Sequence, residues 1–599
     1  MLDRNIWGGT FEVNPKTPSD DDEREIEYDR AAYRGQSEEQ VKQSWLLRPD
    51  RETERRKKRV SYVNCMMVRT LLVGVVVSGF VALIVVVATK NGRRKHLAPG
   101  PDNYTIALHQ VLLFFNAQRS GKLPKQNNIS WRGDSCLKDE IPGGYYDAGN
   151  AIKYTLPTSF AMTLLSWSVI EYSSKYEAIG ELDHVKDIIK WGTDYLLKTF
   201  KSTNKTIHSI ATQVGGDHDQ YCWMRPEDID ADVNYPRRAT WCDNCPAVAA
   251  ETAAALAAAS IVFKDSQDYS GKLVYSAEKL FMFATKGQNE KYSGNPDPSS
   301  KNYNSSGFWD EFVWGGAWLY IATGNLTYLQ LATSTNLAGK DHGFSGGPNR
   351  GVLSWNNKHS GAELLLTRMR IFLGYGYPFE ETLHAFQNQV DGIMCSYLPD
   401  FSNFNRTKGG LIQLNHARPR PLQYAANAAF MAILYSDYLE ANLVPGWRCG
   451  PKFYPNQALR DFAVSQIDYI LGKNPLNMSY IVGYGKNFPR RVHHRGASIP
   501  NNKVRYGCKE GWKWQGSGRS DPNIIIGAMV AGPGREDEFQ DIRYNYNYTE
   551  PTIVGNAGVI TALVALTGGK SSKIDKNTMF SAIPPLYAFD QSPPPPWKP

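Results

Sequence analysis

Apolar residues at helical spacing predict twelve helices after the first hundred positions of the chain. The predicted ranges are 104–117, 157–175, 183–200, 247–264, 274–287, 308–323, 327–336, 360–373, 380–397, 421–441, 457–472 and 550–567. Stretches that alternate polar and apolar residues, the pattern of a half-buried strand, are almost missing. We therefore predict an all-α domain in which six helical hairpins close into a toroid. Long loops rich in Trp, Tyr, Asn, Asp and Gly join the helices and predict a binding surface.

One apolar run stands apart from this pattern because it follows a polar N-terminal segment. Residues 70–89 carry no charge and are long enough to cross a bilayer. A cleaved signal peptide fits poorly, since a long polar segment comes first and no small-residue cleavage site follows. A buried core helix fits poorly as well, because both flanks are basic. The more basic flank, "RRKKR" at 55–59, precedes the run and predicts a cytoplasmic N-terminus.

These features divide the chain into five parts. The predicted parts are a disordered cytoplasmic tail (1–67), a transmembrane signal-anchor helix (68–89), a linker (90–102), a globular domain (103–585) and a Pro-rich tail (586–599). We expect a single-pass type II membrane protein of the plasma membrane or of Golgi or endosomal membranes. The net charge of +8 is spread along the chain, and no basic groove with interleaved aromatic residues predicts nucleic-acid binding.

Glycosylation sequons support the same orientation. Eight Asn-x-Ser/Thr motifs occur, and all follow the apolar run. They begin at Asn103, Asn128, Asn204, Asn304, Asn325, Asn405, Asn477 and Asn547. Their placement is that of a domain in the lumen or outside the cell.

Cysteine and histidine spacing predicts structural roles and no metal site. Seven cysteines follow the apolar run, so at least one of them is unpaired within the chain. Cys242 and Cys245 form a single CxxC, whereas a zinc site needs four nearby ligands. Only 11 histidines occur, and no pair at helical ligand spacing has an acidic third partner.

The strongest candidate for chemistry is "EFQDIRYNYNYTEPTIVGNAGVI" at 538–560. Asp541 and Glu550 lie nine positions apart with tyrosines between them. Two carboxyl groups in an aromatic, sugar-stacking setting are what glycosidic bond cleavage requires, and one of them must carry a proton. Pro551 is a natural first residue for the last predicted helix, whose N-terminus would favour the ionised form of Glu550. Burial or a neighbouring carboxylate would have to oppose that effect. The alternative is a negative cap on a surface helix.

Two further segments are rich in polar groups held by glycine and proline. In "MSYIVGYGKNFPRRVHHRGAS" at 478–498, His493 and Arg495 can bind sugar hydroxyls and orient a carboxylate. In "GGYYDAGNAIKY" at 143–154, Asp147 precedes Asn150 by three positions, and Tyr146 adjoins the acid.

These segments resemble the signature regions of glycoside hydrolase family 9. The resemblance rests on "FQDIRYNYNYTEPTIVGNA", "SYIVGYGKNFPRRVHHR", "GGYYDAGN" and "QYCWMRPEDID", and it extends over residues 100–585. The N-terminal tail, the apolar run, "PDNYTIALHQVLLFFNAQRSGKLP" and the Pro-rich end resemble more specifically the membrane-anchored plant endo-1,4-β-glucanases of the KORRIGAN type. This resemblance implies an (α/α)6 barrel and an open cleft for cellulose or a related β-1,4-glucan. It also implies a role in cell-wall assembly, with the cellulose-synthesis machinery as a partner.

The resemblance further implies inverting hydrolysis, in which an acid and a base act from opposite faces of the sugar. Glu550 would be the general acid, while Asp541, His493 and Arg495 would support catalysis and bind substrate. No cofactor is implied. Some bacterial relatives bind calcium, but no independent ligand cluster for calcium occurs in this sequence.

One position departs from the family pattern. The family has Asp-Ala-Gly-Asp, where the first acid helps to hold the attacking water and the second is the base. Asp147 matches the first acid, but Asn150 occupies the position of the base. An amide oxygen accepts a hydrogen bond from water but cannot take its proton near neutral pH. The sequence leaves two functions open, a weakly active glucanase and a glucan-binding pseudoenzyme or membrane scaffold. A third interpretation is that Asn150 only caps a turn.

Aromatic residues are the remaining candidates for substrate binding, with core packing as the alternative for each. Besides Tyr146, the candidates are Trp223, Trp309, Trp314, Trp355 and Tyr424. We expect two of these five to face the sugar. Trp314 and Trp318 are four residues apart on one helix, which favours a core position for one of them.

Overall fold

The structure of the protein is a computed structural model. It describes Met67 and residues 102–583, apart from 204, 233–234, 236, 287–301, 335–348, 374–378, 417, 503 and 570–573. The predicted cytoplasmic tail, signal-anchor helix, linker and Pro-rich tail therefore lie almost entirely outside the described residues.

All twelve predicted helices are present in the described part of the chain. They are α1 (Asn103–Gln118), α2 (Thr155–Ala178), α3 (Leu182–Leu196), α4 (Pro246–Val262), α5 (Gln267–Lys286), α6 (Trp309–Thr323), α7 (Leu326–Ala332), α8 (His359–Leu373), α9 (Glu380–Ser396), α10 (Leu422–Ala441), α11 (Gln457–Leu471) and α12 (Ile553–Leu566). The largest difference from the predicted ranges is at α5, which begins seven residues earlier than expected.

The helices form two concentric layers. The even-numbered helices pack in a closed ring, α2 on α4, α4 on α6, α6 on α8, α8 on α10, α10 on α12 and α12 on α2. Each odd-numbered helix packs outside one of them: α1 on α12, α3 on α2, α5 on α4, α7 on α6, α9 on α8 and α11 on α10. This alternation of inner and outer helices is an (α/α)6 barrel, and it confirms the predicted toroid.

Burial explains which helices form the inner layer. Every residue of α4 and α12 is buried, because both helices are apolar on all sides. The outer helix α3 instead buries a single stripe that includes Val185, Ile188 and Ile189. Three tryptophans in the inner layer, Trp167, Trp314 and Trp318, lie edge to face with ring centroids 5.6–5.9 Å apart. Aromatic packing of this kind adds about 0.5–1.5 kcal/mol per pair beyond the burial of area.

Short strands accompany the barrel, which the all-α prediction missed. Strand β3 (Thr206–Val214) pairs antiparallel with β1 (Lys153–Tyr154), β2 (Phe200–Thr203) and β4 (Ala239–Cys242). A separate hairpin joins β5 (Gly446–Cys449) to β6 (Lys452–Pro455). Residues 209–214 of β3 are all buried, so this strand lacks the alternation of polar and apolar residues on which sequence-based detection depends.

One helical stretch among the described residues, Tyr546–Leu566, is long and apolar enough to cross a membrane, and 94% of its most apolar window is buried inside the protein. Its apolar character is that of a core helix of the inner layer. The predicted membrane helix at 68–89 lies outside the described residues.

Three disulfides cross-link the described chain, Cys222–Cys508, Cys242–Cys245 and Cys395–Cys449. Cys136 is buried and free, in agreement with the predicted unpaired cysteine. Six sequon asparagines are exposed, namely Asn103, Asn128, Asn304, Asn325, Asn405 and Asn477. Asn547 is half-buried, and Asn204 lies outside the described residues.

Candidate active site

A pocket of about 190 Å³ is lined mainly by the segments that lead into five of the six inner helices. Its lining residues are Asp147, Ala148, Asn150, Tyr154, Asn302, Tyr303, Trp355, Pro419, Arg420, Gln423, Tyr424, Met529, Val530, Ala531, Glu550, Thr552 and Gly555. The barrel brings together groups that are far apart in the sequence. The backbone N–H of Gly149, for example, lies 3.4 Å from the Oε1 atom of Glu550, 401 positions away.

Glu550 enters this pocket from an extended backbone segment. Its φ and ψ angles are −85° and 121°. Helix α12 begins only at Ile553, and Thr552 caps it by accepting a hydrogen bond from the N–H of Gly555 at 3.1 Å. The prediction that Pro551 opens the last helix is wrong, because the threonine hydroxyl supplies the cap one residue later.

The positive partner of Glu550 is therefore a side chain and not a helix N-terminus. The guanidinium of Arg420 lies 2.8 Å from Oε2 of Glu550, while Oε1 faces the N–H of Gly149. The Glu550 side chain is about one-tenth exposed and the Arg420 side chain about one-third. Both oxygens of the carboxylate thus have a donor, and the ion pair borders the open pocket.

Asp147 lies in the same pocket with fewer partners. Its Oδ2 atom accepts a hydrogen bond from the hydroxyl of Tyr303 at 2.7 Å, but its buried Oδ1 atom has no partner among the described residues. Burial raises the pKa of Asp147 to about 7, the hydrogen bond from Tyr303 lowers it, and the charge of Glu550 raises it further. A carboxyl group with a free oxygen atom and a pKa near neutrality can exchange a proton with a water molecule in the pocket.

Asn150 borders the pocket with its amide group held in a turn. Its Oδ1 atom accepts a hydrogen bond from the N–H of Ile152 at 3.1 Å, which is the geometry of an Asx turn. Asn150 thus caps a turn, as one interpretation of the sequence expected, and whether it does only that stays a prediction. Asn150 also lines the pocket, so a carboxylate at this position would reach the same space.

Close backbone packing joins the segment of Asp147 to the segment of His493. A Cβ atom on Gly149 would come within 1.8 Å of the carbonyl oxygen of His493, so only glycine fits there. The N–H of Arg495 donates to the carbonyl oxygen of Gly149 at 2.9 Å. Two motifs that were identified separately in the sequence thus form one rigid unit.

The other predicted polar residues support this unit from behind the pocket. Both oxygens of Asp541 accept backbone hydrogen bonds, from Arg490 at 3.0 Å and Arg491 at 2.9 Å. Nδ1 of His493 lies 2.7 Å from the carbonyl oxygen of Arg543, and burial lowers the pKa of this histidine. These contacts fix the loop that packs on Gly149. Neither Asp541 nor His493 is among the residues that line the pocket.

Arg495 is more deeply placed than a substrate-binding residue would be. Its side chain is 3% exposed, and its guanidinium lies 3.8 Å from Asp219 and 5.8 Å from the ring of Trp223. Arg495 does not line the pocket, so the structure places it as a support for neighbouring residues.

The structure distributes the aromatic candidates between core and pocket. Trp355 and Tyr424 are the two of the five that line the pocket. Trp314 is fully buried in the barrel, and Tyr146 is buried with its hydroxyl on Ser135 at 2.9 Å, so the structure contradicts a substrate-binding role for both.

The remaining two candidates lie outside the pocket lining. Trp223 is only 3% exposed and packs on His493. Trp309 packs against Phe308 and Phe312, with ring centroids 4.6 and 5.7 Å away. Packing at the start of α6 accounts for the position of Trp309.

A buried ion pair holds Trp355 in place. The ammonium group of Lys358 is fully buried, lies 2.6 Å from Glu311, and donates a hydrogen bond to the carbonyl oxygen of Trp355. The ring of Trp355 in turn packs edge-on against Tyr303, with centroids 4.8 Å apart. Tyr303 is the residue that binds Asp147, so the aromatic wall and the acid are positioned together.

Among the pocket residues that were not predicted from the sequence, Tyr303 and Arg420 contact the two carboxyl groups. Arg420 lies between two prolines in "RPRPLQY" and adopts a left-handed φ of 67°, which is rare for a residue other than glycine. Strained backbone of this kind is often found at functional sites, but it is not visible in the sequence. The Pro-Arg-Pro pattern was the only available signal.

The described residues contain one group of side chains that could hold a metal ion, His218, Cys222 and Cys508. The two sulfur atoms of this group are joined in a disulfide, which removes them as ligands. The group therefore gives no support to a metal centre.

Comparison with known proteins identifies the family. A model of "Glycosyl hydrolase family 9" matches residues 104–563. "Endoglucanase 25" of Arabidopsis thaliana is 55% identical over all of both chains, and "Endoglucanase 10" of Oryza sativa subsp. japonica is 53% identical over all of both chains.

Solved structures show the same relationship. An endoglucanase from the termite Nasutitermes takasagoensis is 33% identical with a TM-score of 0.66, over 78% of this chain and 98% of that one. Endoglucanase CelQ from Clostridium thermocellum, complexed with cellotriose, is 30% identical with a TM-score of 0.64, over 83% of this chain and 73% of that one. The chain therefore belongs to glycosyl hydrolase family 9 and is an endoglucanase.

Proposed function

We propose that this endoglucanase cleaves internal β-1,4-glucosidic bonds of cellulose or a related glucan with inversion, and that it does so slowly. Glu550 is the general acid in this proposal, and Asp147 replaces the missing base. The observation that carries the proposal is the buried Oδ1 atom of Asp147, which has no partner among the described residues and borders the pocket of Glu550.

The pocket supplies what this reaction requires from the protein. The side chains of Trp355 and Tyr424 offer aromatic surfaces on which sugar rings can stack, and Glu550 and Asp147 enter from segments that precede different inner helices. An inverting enzyme needs one carboxyl group to protonate the leaving oxygen and another to take a proton from water. The related CelQ structure contains cellotriose, which supports a cello-oligosaccharide as the occupant of this pocket.

Asn150 sets the limit on the rate. Its amide keeps a hydrogen-bond acceptor beside the pocket, but this group cannot hold the proton of the attacking water. Asp147 has a pKa of about 7 and can take that proton near neutral pH. Its position matches the acid that holds the water in relatives, so proton transfer from there is less direct.

The test is the hydrolysis of a neutral soluble cellulose derivative by the unmodified protein and by Asp147→Asn, with the anomeric form of the product followed by NMR. Replacement of an exposed aspartate far along the chain, Asp265→Asn, is the matched control. We expect the α-anomer as first product and loss of turnover in Asp147→Asn only. Unchanged turnover in Asp147→Asn would show that another group is the base.

A second candidate function is glucan binding without significant hydrolysis. The observation in its favour is the hydrogen bond between Asn150 and the N–H of Ile152, which engages the amide within its own loop. A protein that binds cello-oligosaccharides but has no turnover above that of Glu550→Gln would be such a binding protein.

We also propose a membrane location for this endoglucanase. The uncharged run at 70–89, the basic flank before it and the six exposed sequon asparagines support a type II membrane protein of the KORRIGAN type, with a lumenal or extracellular catalytic domain. A role in wall assembly, beside the machinery that synthesises cellulose, follows from this location. In sealed vesicles, protease should remove the first 60 residues and spare the rest. A protected N-terminus and an accessible, unglycosylated domain would contradict this topology.

A further inference from the structure

A row of side chains in mutual contact connects the pocket with an exposed aromatic residue, Trp512. The guanidinium of Arg420 lies 5.4 Å from the ring centroid of Tyr546, whose ring is 5.9 Å from that of His493. The ring of His493 is 4.9 Å from Trp223, which is 6.3 Å from Trp512 and tilted by only 31° relative to it. Each neighbour is in contact range, so the row connects the ion pair of the pocket with the residues around Trp512.

Two rings of this row are open to solvent. Tyr546 is 49% exposed and Trp512 is 38% exposed, whereas Trp223 is buried and supports Trp512 from below. Exposed aromatic rings offer flat apolar faces on which sugar rings can stack. Exposed rings that continue from a sugar-binding pocket offer further stacking positions for the same chain of sugars.

The segment that carries Trp512 is basic. We call residues 504–519 the basic loop. It contains four exposed basic residues and one acidic residue, which gives a net charge of +3. The basic residues are Arg505, Lys509, Lys513 and Arg519. No ion pair within the described chain involves any of the four. Their charges therefore remain available to a ligand.

The basic loop is fastened to the site and is not a loose surface segment. A disulfide joins Cys508 to Cys222, and the N–H of Trp223 donates to the carbonyl oxygen of Cys508 at 3.2 Å. At Gly511 the two segments come so close that a Cβ atom would lie 1.3 Å from the carbonyl oxygen of Trp223. The backbone that carries the cations is thus fixed relative to Trp223, which favours recognition of a defined ligand.

The pocket itself carries little negative charge. Among its lining residues, only Asp147, Arg420 and Glu550 can be ionised near neutral pH, and the cation offsets the charge of one of the two acids. Asn150 is uncharged where the family pattern has an aspartate. An anionic sugar chain therefore meets less repulsion here than in a pocket with three carboxylates.

We propose that the surface formed by Tyr546, Trp512 and the basic loop binds a β-1,4-linked glycan that carries carboxylates, as uronic acid residues do. Aromatic rings bind the faces of the sugar rings, and the cations bind the carboxylates. A neutral glucan would use the rings but would leave the four cations without an anionic partner, although Lys513 also lies 4.8 Å from the ring centroid of Tyr506. The inference rests on the proposed function only in placing a glycan in the pocket of Glu550.

The test compares two hexasaccharides of the same linkage and length, cellohexaose and its counterpart with every C6 oxidised to a carboxylate. Binding to the full-length protein in neutral detergent is measured by calorimetry at about 0.02 M and about 0.5 M salt. We expect the oxidised hexasaccharide to bind about three- to tenfold more tightly at low salt, as two or more exposed ion pairs would provide. This preference should disappear at high salt.

Variants locate the effect. Lys509→Gln/Lys513→Gln should remove the preference and leave cellohexaose binding unchanged, whereas Trp512→Ala should weaken both ligands. The matched control is Lys272→Gln/Lys286→Gln, which removes the same charge from exposed positions on the outer helix α5. We expect this control to keep the preference.

Three outcomes would overturn the inference: equal affinities for the two hexasaccharides, a preference that survives in Lys509→Gln/Lys513→Gln, or a preference that is insensitive to salt. Binding of anionic lipid vesicles through the same lysines, without preference for the oxidised hexasaccharide, would overturn it as well and identify a membrane contact. Absence of cellohexaose binding to the unmodified protein is a different result, because it contradicts the proposed function and not the charge preference.

Discussion

Two carboxyl groups share the pocket, and their surroundings differ. Glu550 has a donor on each oxygen, the guanidinium of Arg420 at 2.8 Å and the N–H of Gly149 at 3.4 Å. Asp147 has one donor, the hydroxyl of Tyr303, and no cation within hydrogen-bonding distance in the described structure. An acid that is buried without a cation is costly in its ionised form, which explains why the pKa of Asp147 rises to about 7.

This difference underlies the proposal that Asp147 acts as the base. A catalytic group is most effective when its pKa lies near the working pH, and burial gives Asp147 that property. Glu550 is held in place by contacts to two other segments, so its position is fixed before substrate arrives. The predictions below test this division of roles.

The largest effect is expected from Asn150→Asp. This change supplies the carboxylate that the family pattern has at this position, and a general base contributes about 10²–10⁴-fold to a rate. We expect kcat on a neutral cellulose derivative to rise within that range, with little change in KM. Asn150→Ser is the control, because a serine keeps a small polar side chain without adding a base. A protein that is already fast and gains nothing from Asn150→Asp would make Asp147 a fully effective base.

Glu550→Gln should lower the remaining turnover by about 10²-fold or more. The amide keeps the size of the side chain but cannot donate the proton that the leaving oxygen requires. Cello-oligosaccharide affinity, measured by calorimetry, should change by less than about threefold, because the aromatic walls are untouched. Turnover at the unmodified rate would assign the acid to another group.

The pH dependence should report the state of Asp147. A base acts in its ionised form, and a pKa of about 7 leaves that form scarce below neutrality. We therefore expect kcat to rise about tenfold from pH 6 to pH 8 as Asp147 ionises, and this rise to level off at higher pH. In Asn150→Asp, the new carboxylate should become the base, so the pH range over which kcat rises should change. A flat profile between pH 6 and pH 8 in the unmodified protein would contradict a role for Asp147.

The smallest effect is expected from Tyr303→Phe. The hydrogen bond from Tyr303 lowers the pKa of Asp147, so its removal should raise that pKa. The pH at which kcat rises should then shift upward by about 0.5–1 pH unit. Activity at pH 9 should be largely retained, which separates this shift from a loss of structure. Phe386→Leu, at a buried position of the outer helix α9, controls for a general loss of packing. If the pH at which kcat rises does not shift, but activity falls at every pH, Tyr303 acts only through packing.

The sequence predicted most of the helices, because helix formation depends on residues that are close together along the chain. The apolar period predicted all twelve helices, and the structure buries most of α10 and all of α12 because both are apolar on nearly all sides. Strand β3 escaped detection, since burial along residues 209–214 removes the alternation that reveals a strand.

Site residues were predictable where a motif carries them. Asp147, Asn150 and Glu550 were identified from the sequence, and the structure places all three in one pocket. Arg420 and Tyr303 were missed, because their importance comes from contacts with residues 130 and 156 positions away. Trp314 and Tyr146 were predicted to bind sugar, yet both are buried. Residue type alone does not show whether an aromatic side chain faces the core or the surface.

By itself, the sequence determined the twelve helices, the family motifs and the amide at position 150, because each of these is written in residues close together along the chain. Only the tertiary structure decided that Arg420 pairs with Glu550, that Asp147 is buried without a cation, and that the basic loop packs against Trp223. The physical reason is that charge and burial act through space. The closed ring of inner helices brings distant segments within a few ångströms, and those distances determine which carboxyl group contacts Arg420 and which is buried without a cation.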